Sequence, residues 1–145
     1  IPVILYAGSM PGTGELMFEM PDDCIEFGKG FNGEPGILKV PVISADELAE
    51  IAVDYLVADM ELKGGEEVCV MVGSRGSTTF MEIHIIFRKI SLILKSKGIK
   101  IYDAAVDRFF CPQEMGGFAV TFLRLDSELK KYYDHPAYSP TYCKR

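Results

Sequence analysis

The 145-residue sequence has no tryptophan and only two histidines, His84 and His135. Its four cysteines, Cys24, Cys69, Cys111 and Cys143, include no pair at C-x-x-C spacing. With so few imidazoles and no paired thiols, a structural zinc site has little support, and no metal is expected. Disulfide frameworks belong to small, cysteine-dense secreted chains, so free thiols are expected, with Cys69 buried in the run Val68–Val72. No apolar run approaches the roughly 20 residues needed to span a bilayer. The opening Ile1–Tyr6 lacks the basic flank of a signal peptide. A cytoplasmic protein without a membrane partner is the expectation. Basic residues are also short: 15 Lys and Arg against 21 Asp and Glu give a net charge of −6. A duplex nucleic-acid binder carries the opposite sign, so no nucleic-acid partner is expected. No G-x-S-x-G hydrolase motif, internal repeat or low-complexity segment occurs. The sequence starts Ile1-Pro2-Val3 without a methionine, which reads as part of a longer protein.

What is present fits one folded domain spanning 1–145. The composition is 48% hydrophobic and 25% charged, which excludes a disordered tail. A chain of this size hides about 68–70% of its unfolded surface and can support its own core. Residues 1–43 are Gly- and Pro-rich, with short strand candidates at 16–20 and 24–27. Ser44 and Glu47 form a capping box that opens a helix ending at Lys63-Gly64-Gly65. Val68–Val72 is a continuous apolar strand, which predicts burial on both faces. Thr79 and Glu82 form a second capping box, and the helix after it runs to near Gly98. Ile99–Tyr102 opens another strand, completing a βαβ unit. Residues 117–125 alternate as a further strand, expected to return antiparallel after a turn at Cys111-Pro112. Asp126 caps a short last helix through Tyr133, and the tail with Pro136 and Pro140 has no helical period. The fold class is α/β, with α+β character: a mixed sheet packed with helices, one βαβ unit and added antiparallel strands.

Three constellations could carry chemistry. Gly28-Lys29-Gly30-Phe31-Asn32-Gly33-Glu34-Pro35-Gly36 could clamp a small polar ligand, with Asn32 and Glu34 as polar heads; a tight turn is the competing reading. The turn Gly73–Thr79 follows a strand and opens a helix, so its backbone N–H groups could suit an anion, with Arg75 adding charge. It lacks the lysine and spacing of a Walker A loop. The acids Glu15, Glu19, Asp22, Asp23, Glu26 and Glu34 crowd residues 1–36, offset only by Lys29. They could form an acid–base or cation site, but a solvated face is the commoner outcome. His84 reads as a hydrogen-bonded helix histidine.

Taken in order, these motifs resemble one family. Glu26 through Gly36 resembles the E-x-G-x-G-I-H-G-E-P-G signature of the substrate-binding subunit of dihydroxyacetone (glycerone) kinases, transferases of glycerol metabolism. Val72–Glu82 resembles that family's V-N-x-L-G-x-T-x-x-M-E stretch. Gly98–Ile101, Met115–Phe118 and Leu125–Leu129 resemble its G-I-K-V, M-A-G-F/V and L-D-D-E-L stretches. The resemblance covers nearly the whole chain. It implies the second, C-terminal domain of a two-domain DhaK-type subunit. The first domain, absent here, would supply the catalytic aspartate and another substrate-contacting histidine, so the fragment alone is expected to be inactive.

The resemblance implies that Gly30, Phe31, Asn32, Gly33 and Glu34, with Gly76 and Thr78, bind a small keto-triose or related polyol. Phosphoryl transfer would come from a separate nucleotide-carrying domain or subunit, as ATP or as ADP with Mg recharged by a phosphotransferase system. No cofactor is expected on this domain, and a homodimer is expected of the full-length protein. The family's G-I-H-G-E-P-G histidine forms a covalent hemiaminal with the substrate ketone, which needs a nucleophilic imidazole nitrogen. Asn32 stands at that position. An amide lone pair is delocalised, so Asn32 hydrogen-bonds and does not attack a ketone. Gly73 replaces a usual asparagine, and Arg75 a usual apolar residue. The alternative implied is a non-catalytic paralogue, a ligand sensor or transcriptional coactivator.

Overall fold

A computed structural model describes residues 1–140 and 142–144. The elements run β1 (Pro2–Tyr6), β2 (Cys24–Phe27), β3 (Leu38–Pro41), α1 (Ala45–Asp59), β4 (Glu67–Ser74), α2 (Phe80–Ser96), β5 (Lys100–Asp107), β6 (Gly116–Arg124), α3 (Ser127–Tyr133), β7 (Ala137–Ser139) and β8 (Tyr142–Lys144). Six strands form one mixed sheet in the order β3-β2-β1-β6-β4-β5. Only β4 and β5 pair in parallel, across the α2 crossover; the other neighbours are antiparallel. The βαβ unit and the antiparallel return of 117–125 therefore stand. The returning strand passes β5 and inserts between β4 and β1.

Both long helices begin at the capping boxes. Ser44 Oγ accepts the Glu47 N–H at 3.3 Å while Glu47 accepts the Ser44 N–H at 2.9 Å. Thr79 and Glu82 repeat this at 3.3 and 2.7 Å. Each box satisfies two donors that the helix start would otherwise orphan, for about 1 kcal/mol. Leu48, Ala49, Ala52 and Val53 of α1 and Ile83, Ile86, Ile90 and Leu94 of α2 share one core. Val3, Phe27, Val68, Val70, Val72, Phe118, Val120 and Phe122 supply the sheet side of it.

Two expectations about the strands need correction. Residues 16–20 are not a strand. Leu16 makes one isolated bridge to Ser9, and positive-φ Gly12 and Gly14 fold this stretch into a loop. The strand is instead Pro2–Tyr6, whose apolar run lies inside the sheet. The strand β4 is buried through Val68, Val70 and Val72 on the helix side; on the other face Cys69 is buried but Met71 is 39% exposed. Tyr133 and Tyr142 of the C-terminal segment line a cavity with Cys69 and Met71 over that face. The tail forms the two-stranded antiparallel pair β7-β8, which its prolines concealed.

The first helix also ends earlier than expected, at a Schellman turn rather than at Gly64. The Leu62 N–H reaches the Val57 carbonyl at 3.0 Å and the Glu61 N–H reaches Ala58 at 3.2 Å. This turn puts Glu61 at φ 50°, whereas α2 ends identically with Gly98 at φ 71°. A side chain in the left-handed region is strained and glycine is not. Glu61→Gly should therefore stabilise the protein by about 0.5–1 kcal/mol, read as a higher urea midpoint with unchanged slope.

Candidate functional site

The site is built where β2 ends, β4 ends and the 108–115 loop approaches β6. The 28–36 loop leaves β2 through Gly28, whose φ of 79° turns the chain. The Gly28 N–H donates to the Pro2 carbonyl at 2.7 Å, and the Ile37 N–H to the Phe27 carbonyl at 2.8 Å, closing the loop at its neck. Inside, the Gly30 N–H donates to the Glu34 carbonyl at 3.1 Å and the Gly33 N–H to Gly30 at 3.3 Å. Asn32 is exposed. Its backbone N–H donates to Glu34 Oε2 at 3.1 Å and its Nδ2 to Oε1 at 3.3 Å. Glu34's own backbone N–H and these Asn32 donors hold its carboxyl below the ordinary carboxylate range. Asn32 is thus an oriented amide beside a carboxylate.

Beneath the loop lies a buried ion pair. Glu26 is 2% exposed and Lys29 is 7% exposed. Lys29 Nζ stands 3.2 Å from Glu26 Oε2 and 4.7 Å from the Phe18 ring centroid. Glu26 Oε1 accepts the Gly36 N–H at 2.7 Å. Burial pushes the Glu26 carboxyl up, but the Gly36 N–H and the Lys29 and Lys39 charges outweigh it and hold it below the usual range. Five of the six N-terminal acids are exposed, as a solvated face requires; Glu26 departs from them and becomes the strut of the loop.

The 73–79 turn does not offer a cradle of free amides. The Arg75 N–H donates to Gly117 at 2.9 Å and the Ser77 N–H to Met115 at 3.2 Å. The Gly76 N–H is held by Ser74 Oγ at 3.1 Å and the Thr79 N–H by Glu82. The reading of this turn as a backbone anion site fails, because packing against β6 and the helix cap occupies these donors. Gly76 sits at φ 131°, and a Cβ there would meet the Pro112 carbonyl at 2.4 Å. Thr78 Oγ1 accepts the Gly117 N–H at 2.8 Å, and its carbonyl accepts the Ser74 hydroxyl at 2.6 Å.

Phe31 joins the two segments. The Arg75 guanidinium lies 4.2 Å from the centre of the Phe31 ring, and Phe110 meets that ring edge-on at 5.2 Å. Such a cation–π contact contributes about 0.5–2 kcal/mol. Thr78 faces elsewhere: it lines a cavity of about 260 Å³ with Tyr6, Ser77, Leu48 and Phe118, and none of residues 30–34 reaches this cavity. Gly30–Glu34 and Arg75 therefore form one cluster, and Gly76 and Thr78 shape the turn behind it. The role of Arg75 at the loop and the Glu26–Lys29 strut were not evident from local sequence. Departure from the family pattern marked Arg75; Glu26 was marked only as one of six N-terminal acids and as the first residue of the E-x-G-x-G frame, neither of which indicates burial. The His84 Nδ1–H donates to the Phe80 carbonyl at 2.7 Å on an exposed helix face. All four cysteines are free, and burial pushes the Cys69 thiol up. Among the described residues no three His, Cys, Asp or Glu converge on a metal position, and no helix is long and apolar enough to cross a membrane.

A mixed-sheet α/β domain with a glycine-lined loop over a buried ion pair defines the class. The Dak1 domain family profile matches residues 1–141, and the chain belongs to that family. It is 36% identical over 138 residues to a PTS-dependent dihydroxyacetone kinase 2 dihydroxyacetone-binding subunit DhaK of Listeria innocua, covering 95% of this chain and 42% of that protein. It is 29% identical to an L-erythrulose kinase of Pectobacterium atrosepticum, covering 97% of this chain and 25% of that one. The chain thus spans less than half the length of these relatives. Among solved structures, a dihydroxyacetone kinase operon co-activator, Dha-DhaQ, superposes with a TM-score of 0.83 over 93% of this chain and 42% of its own, at 24% identity. That likeness is one of fold.

Proposed function

We propose that this chain is the second domain of a dihydroxyacetone-kinase-type binding subunit, holding a small keto-triose or related polyol while a partner domain or subunit delivers the phosphoryl group. Catalysis of this kind is positioning and charge stabilisation, so a rigid loop is the domain's main contribution. The carrying observation is the E-x-G-x-G-x-x-G-E-P-G frame with Asn32 clamped to Glu34. Gly30, Phe31, Asn32, Gly33 and Glu34 would face the ligand, and Gly76 and Thr78 would set the turn behind them. Nucleotide and Mg would sit on the partner, since the sequence has no Walker A lysine and the 73–79 amides of Arg75, Gly76, Ser77 and Thr79 are already bonded. A catalytic aspartate would come from a companion domain. Asn32 favours a second reading, a sensor or coactivator that recognises a ligand without turning it over.

The test is capture. Native mass spectra of the full-length protein with dihydroxyacetone should show no covalent adduct on residues 28–36. Asn32→His should restore one, with a mass increase of the whole triose. The imidazole nitrogen adds to the carbonyl carbon, the carbonyl oxygen takes up a proton, the nitrogen gives one up, and no water leaves. A wild-type adduct on the loop would overturn the assignment of Asn32 as a hydrogen-bonding residue. Absence of an adduct in folded Asn32→His would overturn the triose reading.

A further inference from the structure

We propose that the Arg75 guanidinium is an anion-recognition group of this site, so that the ligand beside the 28–36 loop carries an oxyanion, phosphoryl or carboxyl. This builds on the reading of the site as a small keto or polyol pocket. Arg75 Nε is shut off from water and has no hydrogen-bond partner among the described residues. None of the ion pairs among those residues includes Arg75. Arg75 is half-buried, and a guanidinium whose Nε is buried with neither an acceptor nor a counter-charge is costly. The shortage is not one of acids, since the chain carries a net charge of −6. The acids of the loop are engaged: Glu26 with Lys29 and Gly36, Glu34 with Asn32.

Arg75 is also held in place. Its backbone N–H is anchored on Gly117, its neighbour Gly76 is wedged against Pro112, and one face of its guanidinium lies over Phe31. Stacking covers the face of a guanidinium and leaves the in-plane N–H edge, which is the edge that grips carboxylate or phosphate in two parallel bonds. The backbone N–H groups of Gly30, Asn32 and Gly33 in the loop and of Arg75, Gly76 and Ser77 in the turn are occupied. An oxyanion reaching the two terminal nitrogens at that edge would supply the counter-charge that the group lacks. It would do so beside Asn32, through the shared residue Phe31.

The experiment is calorimetric titration of the full-length protein at low salt with dihydroxyacetone, its phosphate, glycerol 3-phosphate, glycerate and inorganic phosphate. Phosphorylated or carboxylated compounds should bind about 10- to 100-fold tighter than the neutral triose, the increment of charge-assisted hydrogen bonds. Arg75→Gln should abolish that preference, so that anionic and neutral trioses bind alike. Arg75→Lys should keep part of it. Inorganic phosphate should raise the melting temperature of the wild type but not of Arg75→Gln, a readout that does not depend on triose binding. Phosphate over glycerate, or the reverse, names the oxyanion. Equal affinity for neutral and anionic trioses, or a preference untouched in folded Arg75→Gln, overturns the anion site and leaves the triose reading standing. Phosphate binding through Arg75 without any triose binding does the opposite. Binding of none of these compounds overturns both.

Discussion

Glu26→Ala will be among the most damaging single substitutions in the protein, lowering stability by about 3–5 kcal/mol. Three losses coincide. The Lys29 ammonium stays buried with the carboxylate 3.2 Å away gone. The Gly36 N–H, which Glu26 Oε1 holds at 2.7 Å, loses its acceptor. The neck of the loop loses the group that ties its two ends together. The exposed Lys39, 3.9 Å away, adds little, as solvated ion pairs do. At 145 residues the melting temperature should fall by roughly 10 °C or more. Adding Lys29→Met should recover part of the loss, because the stranded charge goes while the Gly36 amide remains unpaired. The coupling between the two positions, read from a double-mutant cycle in urea, should exceed about 1 kcal/mol. Additive effects would mean that Lys29 finds other partners. The same pair sets an acid limit. The Glu26 carboxyl titrates below its unfolded value of about 4.3, so its contribution is complete above that pH and fades as pH falls through the lower folded value. Glu26→Gln should flatten that part of the stability–pH curve.

Glu26 also shows where the sequence stops being legible. Capping boxes can be read because Ser44–Glu47 and Thr79–Glu82 interact three residues apart, and local spacing determines them. The long apolar stripe of α2 and the strand–helix–strand order can be read for the same reason. Glu26 sat in a run of acids of which the rest are solvated, and composition could not single it out. Its environment is made by Lys29, Gly36 and Phe18 only after the loop has folded over β2. Sheet order is equally non-local: alternation identified β6, but not its place between β1 and β4. The 16–20 stretch misled because a short apolar run, Leu16-Met17-Phe18-Glu19-Met20, mimics a strand even when flanking glycines and prolines prevent pairing. The glycine loop itself was legible, since so many glycines together have few neutral explanations. Its contact with Arg75 through Phe31 was not, because the two lie far apart in the chain.

Gly117→Ala should cost about 3 kcal/mol or more and should also loosen the site, although no ligand would touch the residue. Gly117 has a φ of 137°, and a Cβ there would lie 2.2 Å from the Val3 carbonyl oxygen. Neither strain has a cheap escape, since the obstacle is the backbone of the adjacent central strand. The position is opposite the irregularity between Ile4 and Tyr6 in β1, where the ring of Tyr6 crosses Gly116 closely enough to exclude a Cβ as well. That crossing brings the Tyr6 hydroxyl to 2.6 Å from Ser77 Oγ. Gly117 meanwhile accepts the Arg75 N–H and donates its own to Thr78 Oγ1. Pushing β1 away from β6 therefore moves the turn that aims Arg75 at Phe31. Gly65→Ala is the control: its φ is 95° but nothing lies within 4 Å, so it carries conformational strain without a clash, about 1 kcal/mol. Urea unfolding should separate the two by at least about 2 kcal/mol, and the surviving folded Gly117→Ala should show weakened Arg75–Phe31 contact in ring-current-shifted NMR resonances of Arg75. Equal costs for the two alanines would show that the sheet yields at this point and that the turn is not held by it.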